Sequence, residues 1–130
     1  MDQFGKGSFA PVFTDQAVEV DTITIDTLLK EFAIQKVSTV KIDIEGFEYF
    51  AFQGGKNLFS AEDGPDIIFE FVDWAEELAG VAKGSAQKIL RQFGYQLCLM
   101  NNDELTPIEE IVIRGNDLFF ASKKQANSKK

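Results

Sequence analysis

The residues best suited to chemistry lie close together, in the run Lys41-Ile42-Asp43-Ile44-Glu45-Gly46-Phe47-Glu48. Charged and apolar residues alternate up to Gly46, which predicts a strand with Lys41, Asp43 and Glu45 on one face. A carboxylate within hydrogen-bond reach can act as a general base, and several carboxylates together can bind Mg²⁺ through their oxygens. Asp43, Glu45 and Glu48 are therefore the candidate site residues of this stretch.

The expected position of these charges favours a site over ordinary surface. A strand covered by helices on both faces should be apolar throughout, and an unpaired buried charge costs several kcal/mol. In open α/β sheets, ligands bind beyond the carboxyl ends of the strands, where this run ends. The alternative is a half-exposed edge strand whose charged face is simply solvated.

The surrounding pattern predicts one α/β domain over residues 1–122, followed by a disordered Lys-rich tail at 123–130. Residues 1–16 are predicted to be loop. Strands are predicted at 18–24, 37–44, 67–72, 95–100 and 118–122, and helices at 26–34, 47–53, 56–59, 74–81 and 85–93. The sheet is thus expected to be mixed, with about five strands, parallel inner strands, an antiparallel C-terminal pair at one edge, and flanking helices.

Several side chains carry more specific expectations. Asp26 is expected to cap the first helix, whose buried side would hold Leu28, Leu29 and Phe32. Trp74 and Cys98 are predicted to lie in the core. Glu70 interrupts an apolar strand, and two roles are left open for it: an ion pair with Lys41 on the neighbouring strand, or a position facing a ligand.

The same residues resemble a known family. The run from Lys41 to Glu48 is similar to the signature of the FkbM family of S-adenosylmethionine-dependent methyltransferases. Residues 20–29 resemble the family's third strand and the lead into its helix, and residues 65–70 resemble its fifth strand, which ends in Glu70. The resemblance implies a Rossmann-like fold and O-methyl transfer to a small molecule or a saccharide.

Within that resemblance, Asp43 and then Glu45 are expected to act as the base, while Lys41, Gly46, Glu48 and Glu70 lie near substrate or cofactor. Asp43, Glu45 and Glu48 are an alternative Mg²⁺ site. The family's Gly-rich loop after strand 1 and the acidic end of strand 2, which bind the cofactor, have no counterpart here. The chain therefore resembles the C-terminal half of the family's Rossmann-like domain.

Without those strands, residues 18–24 are expected to pair directly with 37–44, or a homodimer is expected to form across the open sheet edge. A chain lacking the cofactor half can also be an inactive relative that serves as a binding or interaction module. A receiver-like phospho-acceptor domain is the third alternative, but its acidic pair and its lysine are missing from the required contexts.

Composition further restricts the classes of function and the cellular locations that this protein can have. The chain has 130 residues, 45% of them hydrophobic, and a net charge of −8, which argues against binding the phosphate backbone of nucleic acid. No apolar stretch approaches the ~18 residues of a membrane span, and no signal pattern opens the sequence, so a cytoplasmic location is expected. Cys98 is the only cysteine, so no internal disulfide can form.

Overall fold

The structure is a computed structural model that describes residues 18–124. It contains five helices in this part of the chain: α1 Ile25–Glu31, α2 Glu48–Gly54, α3 Lys56–Ser60, α4 Ala75–Leu78 and α5 Ser85–Gln92. The strands are β1 Thr39–Ile42, β2 Asp66–Val72, β3 Gln96–Asn101, β4 Glu104–Ile108 and β5 Asn116–Ser122. The predicted loop at 1–16 and residues 125–130 of the predicted tail lie outside the described residues.

The five strands form one mixed sheet in the order β1-β2-β5-β3-β4, which confirms the predicted sheet class. β1 and β2 are parallel, and all other neighbours are antiparallel. The antiparallel C-terminal pair is present, but its predicted place at the sheet edge is wrong, because β4 occupies that edge. β4 was not predicted, because a proline such as Pro107 is rare within strands. An edge strand can contain a proline, since the position that lacks an N–H can face away from the neighbouring strand.

The predicted strand at 18–24 is wrong. Glu19 forms an isolated bridge, but the rest of this segment has no strand structure, and Val18, Val20 and Ile23 are exposed. No backbone hydrogen bond joins residues 18–23 to β1. The expected direct pairing with β1 is therefore absent from the described part of the chain.

Local hydrogen bonds explain why the segment turns away from β1. Thr24, and not Asp26 as predicted, caps α1, because its hydroxyl accepts a hydrogen bond from the Thr27 N–H at 3.1 Å. The Asp26 carboxylate instead accepts hydrogen bonds from the N–H groups of Asn57 (2.8 Å) and Leu58 (3.2 Å) at the start of α3. These bonds fix the entry to α1 beside α3.

Three predictions of buried side chains are also wrong. Leu28 and Phe32 on α1 are exposed, and Trp74 is 49% exposed. α1 has no buried residue, since it is held to α3 by the Asp26 carboxylate and does not pack an apolar stripe into the core. Leu29 is only half-buried, whereas Cys98 is buried as predicted.

The hydrophobic core lies between one face of the sheet and the helices. Phe52 of α2 packs edge-on against Phe59 of α3 and Phe69 of β2, with ring centroids 5.3 and 5.6 Å apart. Phe69 stacks on Phe119 of β5 at 5.1 Å, and Leu90 of α5 is fully buried in the same cluster. Because side chains alternate along a strand, the neighbours of these core residues point to the opposite sheet face.

The first residues of the predicted tail make defined contacts. The Lys123 ammonium donates a hydrogen bond to the Ala61 carbonyl at 2.6 Å and lies 4.8 Å from the centre of the Tyr95 ring. Lys124 forms an ion pair with Asp66 at 3.5 Å. Residues 123 and 124 therefore continue the fold past β5 and do not belong to a disordered tail.

Candidate functional site

Three carboxylates meet where the parallel strands end. The register pairs Ile42 of β1 with Phe69 of β2, so the residues that follow them, Asp43 and Glu70, lie side by side on the face opposite the core. Glu45 joins them from the turn. Each of the three residues offers one carboxylate oxygen, and these oxygens lie within 4.8 Å of one another. We call Asp43, Glu45 and Glu70 the acidic triad.

The turn that carries Glu45 has an unusual backbone. Glu45 has a φ of 57° and Gly46 a φ of 99°, both in the left-handed region. A Cβ atom on Gly46 would overlap the backbone carbonyl of Ala75, the first residue of α4. Gly46 is thus required by both its φ and its close approach to α4.

Glu48 has a different position from the one that its place in the sequence suggested. It is only 3% exposed, and its carboxylate accepts hydrogen bonds from the N–H groups of Ile44 (2.9 Å) and Gly46 (3.0 Å). The structure therefore places Glu70, and not Glu48, beside Asp43 and Glu45. Glu48 holds the backbone of the turn from the inside, so the Mg²⁺ set of Asp43, Glu45 and Glu48 does not match this geometry.

The environment of Glu48 changes its acidity. Burial raises the pKa of its carboxyl above the usual 4.5, hydrogen bonds from the backbone of Ile44, Glu48 and Gly46 act in the opposite direction, and the nearby charge of Glu76 raises it further. Two buried carboxylates thus lie close enough to interact behind the turn. Folding therefore makes ionisation of Glu48 less favourable than it is for a solvated glutamate.

Glu76 supports the turn from α4, and sequence reasoning missed it. It is 3% exposed and accepts hydrogen bonds from the Gly84 N–H at 2.5 Å and the Ala86 N–H at 2.9 Å. It therefore ties α4 to the start of α5 and fixes Ala75 behind Gly46. The sequence predicted Trp74 to be the core residue of this segment, and no motif marked Glu76.

Of the two predicted roles for Glu70, the ion pair with Lys41 is absent. Lys41 is exposed and lies opposite Ile68, two residues before Glu70 on β2. Neither of the ion pairs found among residues 18–124 includes Lys41 or Glu70. Glu70 instead faces Asp43 and Glu45, and no described lysine or arginine neutralises the acidic triad.

An apolar groove lies on the helix side of the sheet, beside the turn that follows β1. Ile44, which lies between Asp43 and Glu45 in the chain, lines a cavity of about 670 Å³ together with Ile23, Phe50 and Gly54. The triad offers only acceptor oxygens to a ligand, and the groove offers apolar walls. No triad residue lines the groove, so the triad by itself suits hydroxyl or cationic groups and the groove by itself suits apolar ones.

Stability should depend on pH through Glu48. Because its folded-state pKa is raised, the protonated carboxyl contributes stability that is fully present below about pH 4.5 and is lost as the pH rises through the folded-state pKa. A Glu48→Gln variant cannot ionise there. We expect the free energy of unfolding of the wild type to fall relative to that of Glu48→Gln as the pH rises from about 4.5.

Urea unfolding at a series of pH values, followed by circular dichroism, measures this difference. Glu77→Gln is the matched control, since Glu77 is an exposed glutamate on the adjacent helix α4. A wild type and a Glu48→Gln variant whose stabilities change in parallel with pH would contradict the assignment.

A mixed sheet with its carboxylates at the ends of two parallel strands, and helices packed on it, is consistent with half of a Rossmann-like methyltransferase domain. Comparison with known families agrees: the model of the methyltransferase FkbM domain matches residues 2–97. The chain belongs to this family, as the resemblance predicted. No curated protein and no solved structure shows significant similarity to it.

Within residues 18–124, no helix is long and apolar enough to cross a membrane.

Proposed function

We propose that this domain acts in S-adenosylmethionine-dependent methyl transfer to a hydroxyl group of a small molecule or a saccharide. The observation that carries the proposal is the acidic triad, which gathers Asp43, Glu45 and Glu70 where the parallel pairing of β1 with β2 ends. Ligands of open α/β sheets bind at such ends. The family match supplies the reaction class.

The acidic triad fits part of the methyl donor. S-adenosylmethionine carries a positive sulfonium group and ribose hydroxyls, and both are suitable partners for carboxylates. Among the described strands, none is followed by a Gly-x-Gly loop of the kind that binds this cofactor by backbone contact. Glu45 and Glu70 are therefore the residues that would hold the donor. The bound donor supplies an electrophilic methyl group.

The chain's own carboxylates would handle the proton of the acceptor. Asp43 is the first candidate for the general base and Glu45 the second, since both are exposed at the end of β1. The sequence contains no histidine, so a carboxylate is the most suitable base on this face. Glu70, which is half-buried beside Asp43, would hold the donor next to this base.

The same oxygens provide the ligand type that Mg²⁺ prefers. A cation bound by the triad would offset the repulsion between three neighbouring carboxylates and would favour the ionised form of an acceptor hydroxyl. In this version of the proposal Glu70 takes the place that the sequence pattern gave to Glu48.

A second function is that of an inactive relative that works as a binding module. The lack of a Gly-rich loop after any described strand favours it, because the remaining acceptor groups alone give few contacts to a cofactor. The acidic triad and the apolar groove would then bind a cation or a protein segment.

Isothermal titration of the chain with S-adenosylhomocysteine, with and without Mg²⁺, separates the two functions. Methyl transfer predicts binding with a Kd of about 1–100 µM, or about −5 to −8 kcal/mol. Absence of heat at millimolar ligand, from a chain that circular dichroism shows to be folded, would reject methyl transfer in favour of the binding module.

A further inference from the structure

β1 has a free edge in the described part of the chain. It pairs with β2 on one side, and no described strand lies on the other. The segment at 18–24, which the sequence predicted for this place, makes no backbone hydrogen bond to it. An edge of this kind is a template for pairing with another strand.

The register of the sheet determines which backbone groups face that edge. The Asp66 N–H donates to the Ser38 carbonyl at 3.0 Å, so Ser38 and the residues two and four positions later direct their backbone groups to β2. Thr39, Lys41 and Asp43 consequently direct theirs to the free edge. A partner strand must meet these three residues.

The residues of this edge are complementary to their own copy. In an antiparallel pairing related by a two-fold axis through Ile42, Lys41 lies opposite Asp43 of the partner subunit, and the same pair occurs a second time. Val40 then lies opposite Ile44 of the partner subunit on the other sheet face. Centring the axis on Lys41 would instead oppose two lysines, which is unfavourable.

We propose that this protein forms a two-fold symmetric dimer in which β1 pairs antiparallel with β1 of a second copy, centred on Ile42. The inference goes beyond the proposed function and does not depend on it. The two five-stranded sheets would become one continuous sheet. Lys41 of the partner subunit would place a cation beside Asp43, in an acidic triad that has no described basic partner.

A charge swap tests this interface, with mass in solution measured by sedimentation equilibrium over a range of concentrations. Lys41→Glu places two acidic residues opposite each other, and Asp43→Lys places two lysines opposite each other. Each should weaken self-association about tenfold or more, because symmetry repeats every substitution. The double variant K41E/D43K restores opposite charges and should restore the dimer, at an unchanged net charge.

Lys88→Glu is the matched control, since it reverses the same charge on the exposed side of α5, away from β1. It should leave the dimer intact. Three results would overturn the proposal: a wild type that stays monomeric at every concentration, a dimer that both single variants leave unchanged, or a double variant no better than the singles. S-adenosylhomocysteine binding is measured separately, so its failure would not affect this test.

Discussion

Replacing Gly46 by alanine should reduce the free energy of unfolding by about 2–6 kcal/mol. A non-glycine residue held in a sparsely populated backbone region costs about 1–3 kcal/mol, and forcing an additional atom into a packed site costs about 1–3 kcal/mol more. Both costs apply, since Gly46 has a φ of 99° and its added Cβ would overlap the Ala75 carbonyl. Urea unfolding monitored by circular dichroism measures the loss.

Gly80→Ala separates the two causes. Gly80 has a nearly equal φ of 96°, but no other atom lies within 4 Å of its hypothetical Cβ. This control should show only the backbone cost, about 1–3 kcal/mol. Equal decreases in the free energy of unfolding for Gly46→Ala and Gly80→Ala would show that the contact between the turn and α4 does not contribute to stability.

Glu76→Ala is the second substitution with a large expected effect. The Gly84 and Ala86 N–H groups would lose a buried charged acceptor, and each unsatisfied donor costs about 1–3 kcal/mol. We expect a total loss of about 2–5 kcal/mol in the free energy of unfolding. Because Glu76 fixes α4 beside α5, the support of Ala75 for the turn should weaken as well.

The neighbouring residue provides the control for Glu76. Glu77 is largely exposed, and its ion pair with Lys83 spans 4.0 Å at the surface. Glu77→Ala should therefore cost about 1 kcal/mol or less. If Glu76→Ala were as mild as Glu77→Ala, the two short hydrogen bonds would not hold α4 in place, and the account of the turn would need revision.

The site could be predicted from the sequence to the extent that alternation fixes side-chain direction. The pattern around Lys41, Asp43 and Glu45 placed all three on one strand face, and the family resemblance directed attention to Glu70. The structure brings Glu70 to Asp43 because parallel strands align residue by residue. The sequence pattern alone does not give that register, so it left two roles open for Glu70, an ion pair with Lys41 or a position facing a ligand.

The roles of Glu48 and Glu76 could not be predicted in the same way. Both look like surface glutamates by residue type, yet both are buried because backbone N–H groups from turns and helix starts need acceptors. Such bonds depend on where loops return in space. This holds for the Glu76 bonds, whereas the Glu48 bonds are local and depend on the left-handed turn at Glu45 and Gly46.

The elements of the fold likewise include some that the sequence predicted and some that it did not. The strong apolar runs at β2 and β3, and the stripe of α5, were predicted because they follow the periods of strand and helix. Residues 18–24 alternate equally well but form no strand. The Thr24 cap and the Asp26 hydrogen bonds to α3 fix the entry to α1, and the Asp26 bonds are tertiary contacts that alternation does not reveal.

The central claim is that carboxylates from β1 and β2 form one ligand-binding group. Titration of the wild type, Glu70→Gln and Glu104→Gln with S-adenosylhomocysteine tests it most directly. Glu104 lies on β4, at the opposite edge of the sheet. The account predicts that Glu70→Gln weakens binding about ten- to hundredfold, as expected for a lost hydrogen bond to a charged group, while Glu104→Gln binds like the wild type. Equal affinities for all three proteins would contradict it.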